Sequence, residues 1–163
     1  MGCGDGEAAS RQAAETGQRC RLEDLGKDAN PQYLAAAEVL LTRCGQTRCH
    51  GPQPWGDLFD LAENRCDIGS VLVDVPSCEY PSLPRVAPGD PEGSWLMVKL
   101  TAPSDEVARL LFEPAADAES ATDARCVEVG FGTHMPPPGF SITEQEVEVV
   151  REWIAAGAPG PEG

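Results

Sequence analysis

Basic residues are scarce in this chain: 12 Lys and Arg stand against 27 Asp and Glu, a formal net charge of −15 at pH 7. A surface so acidic repels phosphate backbones, so no nucleic-acid partner is expected. Long apolar runs are missing too. No stretch reaches the roughly 18 apolar residues that would mark a membrane span, and no apolar signal-peptide core stands at the N-terminus, so the chain reads as one already processed. Internal repeats and strand-like alternation of useful length are also lacking, which leaves a mostly helical reading with long loops. At 163 residues the chain has room for one domain, or one domain and a tail, and not for a large multi-domain enzyme. No acid–base or nucleophile constellation is arranged along it: Glu144, Glu146 and Glu148 read as the exposed side and cap of a helix.

A modest core is nonetheless within reach, because 41% of the residues are hydrophobic and 17 more are glycine. Residues 1–29 hold almost no large apolar side chain and are expected to form a flexible N-terminal tether. Order is expected over residues 30–159, with a short tail at 160–163. Asn30 and Pro31 are a cap and a first-turn proline, and the apolar positions Tyr33, Leu34, Val39, Leu40 and Leu41 continue a helix towards Cys44. Two apolar patches, Leu58 to Leu61 and Ile68 to Val75, suit short helices between Pro- and Gly-rich loops. The segment Arg85 to Pro91 reads as a turn feeding a helix over Ser94 to Leu100, and residues 113–125 as an exposed acidic loop. The clearest element is C-terminal. Thr143 and Glu146 make a capping box, Ile142 and Val147 a hydrophobic staple, and Val147, Val150, Trp153 and Ile154 an apolar stripe that Gly157 and Pro159 bring to a stop.

Cysteine, by contrast, is abundant: seven residues, Cys3, Cys20, Cys44, Cys49, Cys66, Cys78 and Cys126. That is too many for a reducing cytosol, and points to an oxidising compartment or to a metal or cofactor site. An odd number leaves at least one outside any internal disulfide. The informative segment is Cys44-Gly45-Gln46-Thr47-Arg48-Cys49-His50. Covalent attachment of haem needs two thiols for its two vinyl groups and a ligand beside the second thiol that reaches the iron. All three are present here, with a spacer of four residues in place of the usual C-x-x-C-H spacing, so the loop must bulge to bring both sulfurs into place.

A second axial ligand has few candidates: His134, Met97 and Met135. Met97 lies in the apolar run Trp95-Leu96-Met97-Val98 and reads first as a core residue. Met135 sits in Thr133-His134-Met135-Pro136-Pro137-Pro138-Gly139, where the prolines stiffen the backbone enough to hold a weak thioether donor. Neighbouring side chains of an extended segment point to opposite sides, so only one of His134 and Met135 can face the iron, and Met135 is favoured.

Four pieces in this order, Cys44 to His50, Pro88 to Leu100, the Met135-Pro136 loop and Glu152 to Pro159, resemble the single-haem c-type cytochrome domains of exported bacterial proteins, myxobacterial and planctomycete ones especially. The likeness runs over about residues 32 to 159. It implies a mainly α, cytochrome c-like fold whose N- and C-terminal helices cross beside one covalent haem c, with Cys44 and Cys49 as attachment points and His50 and Met135 as axial ligands. The function implied is electron transfer rather than enzymatic catalysis, with redox proteins as partners. Pro52 would brace the proximal loop, and Leu96, Leu100, Val150 and Ile154 would keep water from the haem. Peroxide chemistry or small-ligand binding would require an open sixth position on the iron.

Cys20, Cys66, Cys78 and Cys126 then read as structural, with three pairings open and Cys78 to Cys126 favoured. Two rival readings use the same residues differently. In one, Cys44 and Cys49 pair as a disulfide in a haem-free, stapled interaction module of the cell envelope; in the other they bind zinc together with His50 and Cys66 or Cys78. Cys3 stands where the acylated cysteine of a bacterial lipoprotein falls once its signal peptide is removed. It would tether a monomeric, exported domain to a periplasmic or cell-surface membrane at a reach of roughly 25–30 Å. The acidic surface would steer the domain to basic redox partners.

Overall fold

The computed structural model describes residues 21–26, 28–46, 49–51, 60–77, 80, 82–103, 134–137 and 139–163, and among these the regular structure is four α-helices and one short 3-10 helix. Among these the chain is mainly helical, and β pairing is confined to isolated bridges such as Val73 with Val86 and Pro76 with Pro84.

Helix α1 spans Pro31–Arg43. A helix start leaves several N–H groups without a carbonyl partner. Here the Asn30 side-chain oxygen accepts from Gln32 and Tyr33, at 2.9 and 3.1 Å, and Pro31 removes a further donor from the first turn. Tyr33, Ala36, Ala37 and Leu40 form the buried stripe of α1, at the three- and four-residue spacing that keeps one face inward.

The C-terminal helix, Glu144–Ala155, is α4 in chain order after α2 (Gly69–Leu72) and α3 (Trp95–Thr101). Its capping box is reciprocal. The Glu146 N–H donates to the Thr143 hydroxyl at 3.2 Å, and the Thr143 N–H donates to the Glu146 carboxylate at 2.8 Å. Val150, Trp153 and Ile154 are fully buried, and the chain leaves the helix through Gly157 at φ +96°, a conformation suited to glycine.

Helices α1 and α4 pack on each other and share the core with Leu61, Ile68, Leu72, Val86, Met97 and Leu100. They run in opposite senses, as two ties show. At one end Arg43 donates from Nε and Nη2 to Glu146 Oε1, at 2.9 and 2.7 Å. At the other, the C-terminal tail folds back: the Trp153 indole N–H donates to the Pro159 carbonyl at 2.9 Å, and the Asn30 N–H to the Pro161 carbonyl at 2.8 Å. The turn before α3 is held to the same core, with Gly89 N–H donating to the Ile154 carbonyl at 2.8 Å and the buried Ser94 hydroxyl bridging Ala87 N–H and the Asp90 carbonyl, each at 2.8 Å.

Regular structure begins upstream of the expected boundary at residue 29. A 3-10 helix, Leu22–Leu25, precedes α1, and its two leucines pack partly buried on the core. Two apolar side chains in one short turn cover core surface while ordering few residues, an effect that the polar composition around them hides. The remaining expected tether, residues 1–20, lies outside the described residues. So do Leu58 and the acidic segment 113–125.

Tyr33 ties α1 to the loop leading to α2. Its hydroxyl accepts from the Ile68 N–H at 3.1 Å and donates to the Arg65 carbonyl at 3.5 Å, and burial pushes the phenol up to about 12. Tyr33→Phe leaves the Ile68 N–H buried without its acceptor, and chemical denaturation should show a loss of ~1–3 kcal/mol.

Candidate cofactor-binding site

The segment after α1 folds back on the helix it leaves. Cys44 and Gly45 N–H groups both donate to the Leu40 carbonyl, at 2.8 and 3.0 Å, closing α1. The chain then reverses. His50 N–H donates to the Cys44 carbonyl at 2.9 Å, Cys49 N–H to the Gln46 carbonyl at 2.8 Å, and the His50 carbonyl accepts from Leu61 at 2.8 Å. These bonds set the backbone of His50 against that of Cys44.

Gly51 makes that reversal sterically feasible. A Cβ there would lie 2.8 Å from the Gln46 carbonyl carbon and oxygen and 2.9 Å from the Gly45 oxygen, all backbone atoms that cannot swing aside. Gly51→Ala should destabilise the fold by ~1–3 kcal/mol, read by denaturant titration, because the loop must open to admit the methyl group.

The reversed loop forms one wall of a cleft of about 900 Å³, its open mouth included. Cys44, Cys49, His50 and Met135 all line it, together with apolar walls from Leu40, Leu61, Leu72, Leu96, Leu100, Pro136 and Pro137. Met135 is held by its backbone, whose N–H donates to the Lys99 carbonyl at 2.8 Å, and the Met135-Pro136 peptide is cis.

The neighbouring candidates are placed elsewhere. His134 Nδ1 lies 2.9 Å from the Ala102 carbonyl, in hydrogen-bond contact, and the residue is not among those lining the cleft. Met97 is 2% exposed within the core. Of the four residues expected to keep water away, Leu96 and Leu100 line the cleft; Val150 and Ile154 belong instead to the core beneath α4. The register of α4 explains the difference, since the same stripe cannot face both α1 and the cleft. Pro52, Cys3, Cys20, Cys78 and Cys126 lie outside the described residues.

Burial dominates the electrostatics. It pushes the Cys44 thiol up to about 12, with Cys49 adding to the shift. It also pulls the His50 imidazole down to about 4, helped by the positive charges of Arg85 and Lys99. At neutral pH the cleft therefore presents a protonated thiol at Cys44 and a neutral imidazole with a lone pair to donate.

Three cations, Arg43, Arg85 and Lys99, line the cleft, and no Asp or Glu is among its described lining residues. Arg85 donates from Nη1 to the Val71 carbonyl at 2.7 Å. Lys99 is 6% exposed, with its Nζ 6.0 Å from the centre of the Trp95 ring. Tyr80 stacks on that ring at 5.3 Å and 14°. The motif-based reading missed these residues. Lys99 had left a signal, as a lone charge inside the apolar run from Trp95 to Leu100, where a solvated lysine is out of place.

Two free thiols, Cys44 and Cys49, an imidazole and a thioether are the donor set of a covalently attached haem, and they converge on apolar walls. The residues present fit that group. Zinc is less well served: Cys66 is disulfide-bonded, so it is no ligand, and no three His, Cys, Asp or Glu side chains gather as a metal site among the described residues. Among those residues no helix is long and apolar enough to cross a membrane. Comparison with protein-family models, with curated proteins and with solved structures finds no match to this chain.

Proposed function

We propose that the chain is a single-haem c-type electron carrier with a cytochrome c-like fold, exported and working in the periplasm or at the cell surface. The observation that carries this reading is convergence. Cys44, Cys49 and His50 from the loop after α1, and Met135 from a segment far along the chain, line the same apolar cleft. Packing of the first and last helices against each other beside that cleft supports the fold.

In this reading Cys44 and Cys49 would hold haem through thioether bonds, and His50 and Met135 would bind its iron. The bound haem supplies a one-electron couple. The protein's part is to hold and tune it. The backbone bond from His50 to Cys44 holds His50 beside the attachment points, and the backbone bond from Met135 to Lys99 holds the thioether-bearing segment at the cleft. A soft methionine donor favours the ferrous state and raises the potential. Apolar walls act in the same direction, because burial disfavours the extra charge of the oxidised form. Disulfides among the remaining cysteines, Cys66 included, staple the loops, and an acylated Cys3 would tether the domain to a membrane near its redox partners. The acidic surface favours basic partners and a salt-sensitive encounter.

The test is the visible spectrum of protein exported from cells with c-type haem maturation machinery, oxidised and then reduced with dithionite, beside a pyridine haemochrome of the denatured sample. Sharp reduced bands and a c-type haemochrome are expected; a colourless protein would leave the haem-free interaction module in its place.

A further inference from the structure

Cys66 is disulfide-bonded, and the haem reading gives that bond no part of its own. What the sulfur touches points to its partner. Cys66 Sγ lies 3.4 Å from the Arg21 carbonyl oxygen, although 45 positions separate the two residues. Arg21 is fixed there by the turn it opens: its N–H donates to the Asp24 carboxylate at 2.7 Å, and its carbonyl accepts from the Asp24 N–H at 2.9 Å. The 3-10 helix that follows packs Leu22 and Leu25 against the core. The residue before Arg21 is Cys20, outside the described residues but one Cα–Cα step of about 3.8 Å along the chain. Bridged cysteines have Cα atoms roughly 4.4–6.8 Å apart, so a sulfur seated on Arg21 is within reach of Cys20.

The other cysteines are less well placed. Cys44 and Cys49 are free thiols. Cys78 follows Ser77, which lines the cleft together with Arg43 and Cys44 from the end of α1. Cys66 belongs with the start of that helix, where the carbonyl of its neighbour Arg65 accepts from the Tyr33 hydroxyl at 3.5 Å; the rise from Tyr33 to Cys44 is roughly 16 Å. We infer that Cys66 is joined to Cys20, a staple that fastens the N-terminal arm to the domain at the end of α1 away from Cys44. Closing it takes two protons and two electrons from the two thiols. A disulfide-bearing oxidoreductase of an oxidising compartment accepts them and becomes a dithiol. The bond closes a loop that contains all of α1, and so restricts the unfolded chain. It also leaves Cys78 and Cys126 for each other, the pairing the sequence favours. The staple stands whether or not Cys44 and Cys49 carry haem.

The experiment is a disulfide map of the exported full-length chain. Free thiols are alkylated in denaturant without reductant, and the chain is cut before each aspartate. That puts Cys20 on peptide 5–23, Cys66 on 60–66, Cys78 on 74–89 and Cys44 with Cys49 on 28–56. The expected species is 5–23 joined to 60–66, separated by reduction into its two peptides. Cys20→Ser should expose one new alkylatable thiol, at Cys66. The double variant Cys20→Ser with Cys66→Ser should melt ~10 °C lower, with the haem content of the wild type. Peptide 60–66 joined to 74–89, to the peptide carrying Cys126 or to that carrying Cys3, would overturn the inference, as would Cys66 recovered alkylated from the wild type. If the serine variants are not exported in folded form, the wild-type map alone decides. A colourless wild type that still yields 5–23 joined to 60–66 would overturn the haem reading and uphold the staple.

Discussion

Replacing Cys44 and Cys49 together by serine should leave no haem on the denatured chain, although the same maturation machinery is present. A thioether forms through a sulfur nucleophile, and a serine hydroxyl, far harder to ionise, does not replace it. The geometry makes the double variant a clean test. Serine is nearly isosteric with cysteine, both positions line the cleft, and the loop around them is fixed by backbone bonds from His50 to Cys44 and from Cys49 to Gln46. The fold should therefore survive even though the attachment does not. Each single variant should keep one covalent link. Acidified-acetone extraction followed by the spectrum of the chain distinguishes the cases: haem leaves the double variant with the solvent and stays on the wild type. Haem retained covalently in the double variant would place the attachment elsewhere.

Met135→Ala should have the next largest effect, on the reduction potential. Axial-ligand identity sets haem potentials over a range of about 0.8 V, and methionine lies towards its upper end, so loss of the thioether should lower the potential by a large part of that range. The weak near-infrared sulfur-to-iron band should disappear with it. His134→Ala is the informative contrast. Its ring nitrogen is in hydrogen-bond contact with the Ala102 carbonyl, so that substitution should retain the band and much of the potential. A band that persists in Met135→Ala, or that vanishes in His134→Ala, would exchange the roles of these neighbours.

These two residues show how far a sequence reaches into such a site. Extended geometry said that only one of them could face the cleft, and proline stiffness favoured Met135; what separates them is contact with residues more than thirty positions away, the His134 ring with the Ala102 carbonyl just past α3 and the Met135 backbone with Lys99 of α3. Helix limits were legible for a local reason. Asn30 with Pro31, and Thr143 with Glu146, satisfy backbone donors within their own turn, so their signature is complete in a few consecutive residues. The mainly helical class followed from the same signals. The cleft's cations were not legible as a group, because Arg43, Arg85 and Lys99 lie on three separate segments that only packing brings together. Nor was the role of Gly51 legible, since its lack of a side chain matters only once the chain has reversed onto Gln46. Val150 and Ile154 mark the converse. Their spacing defined a buried face correctly, but periodicity does not say whether a buried face meets another helix or a cofactor.

The central claim, that Cys44 and Cys49 carry haem, is tested most directly by the intact mass of the denatured protein after export from haem-maturing cells, followed by peptide mapping. The expected result is one haem per chain, retained through denaturation and found on the peptide that contains both cysteines. A chain of unmodified mass with Cys44 and Cys49 joined to each other would contradict it.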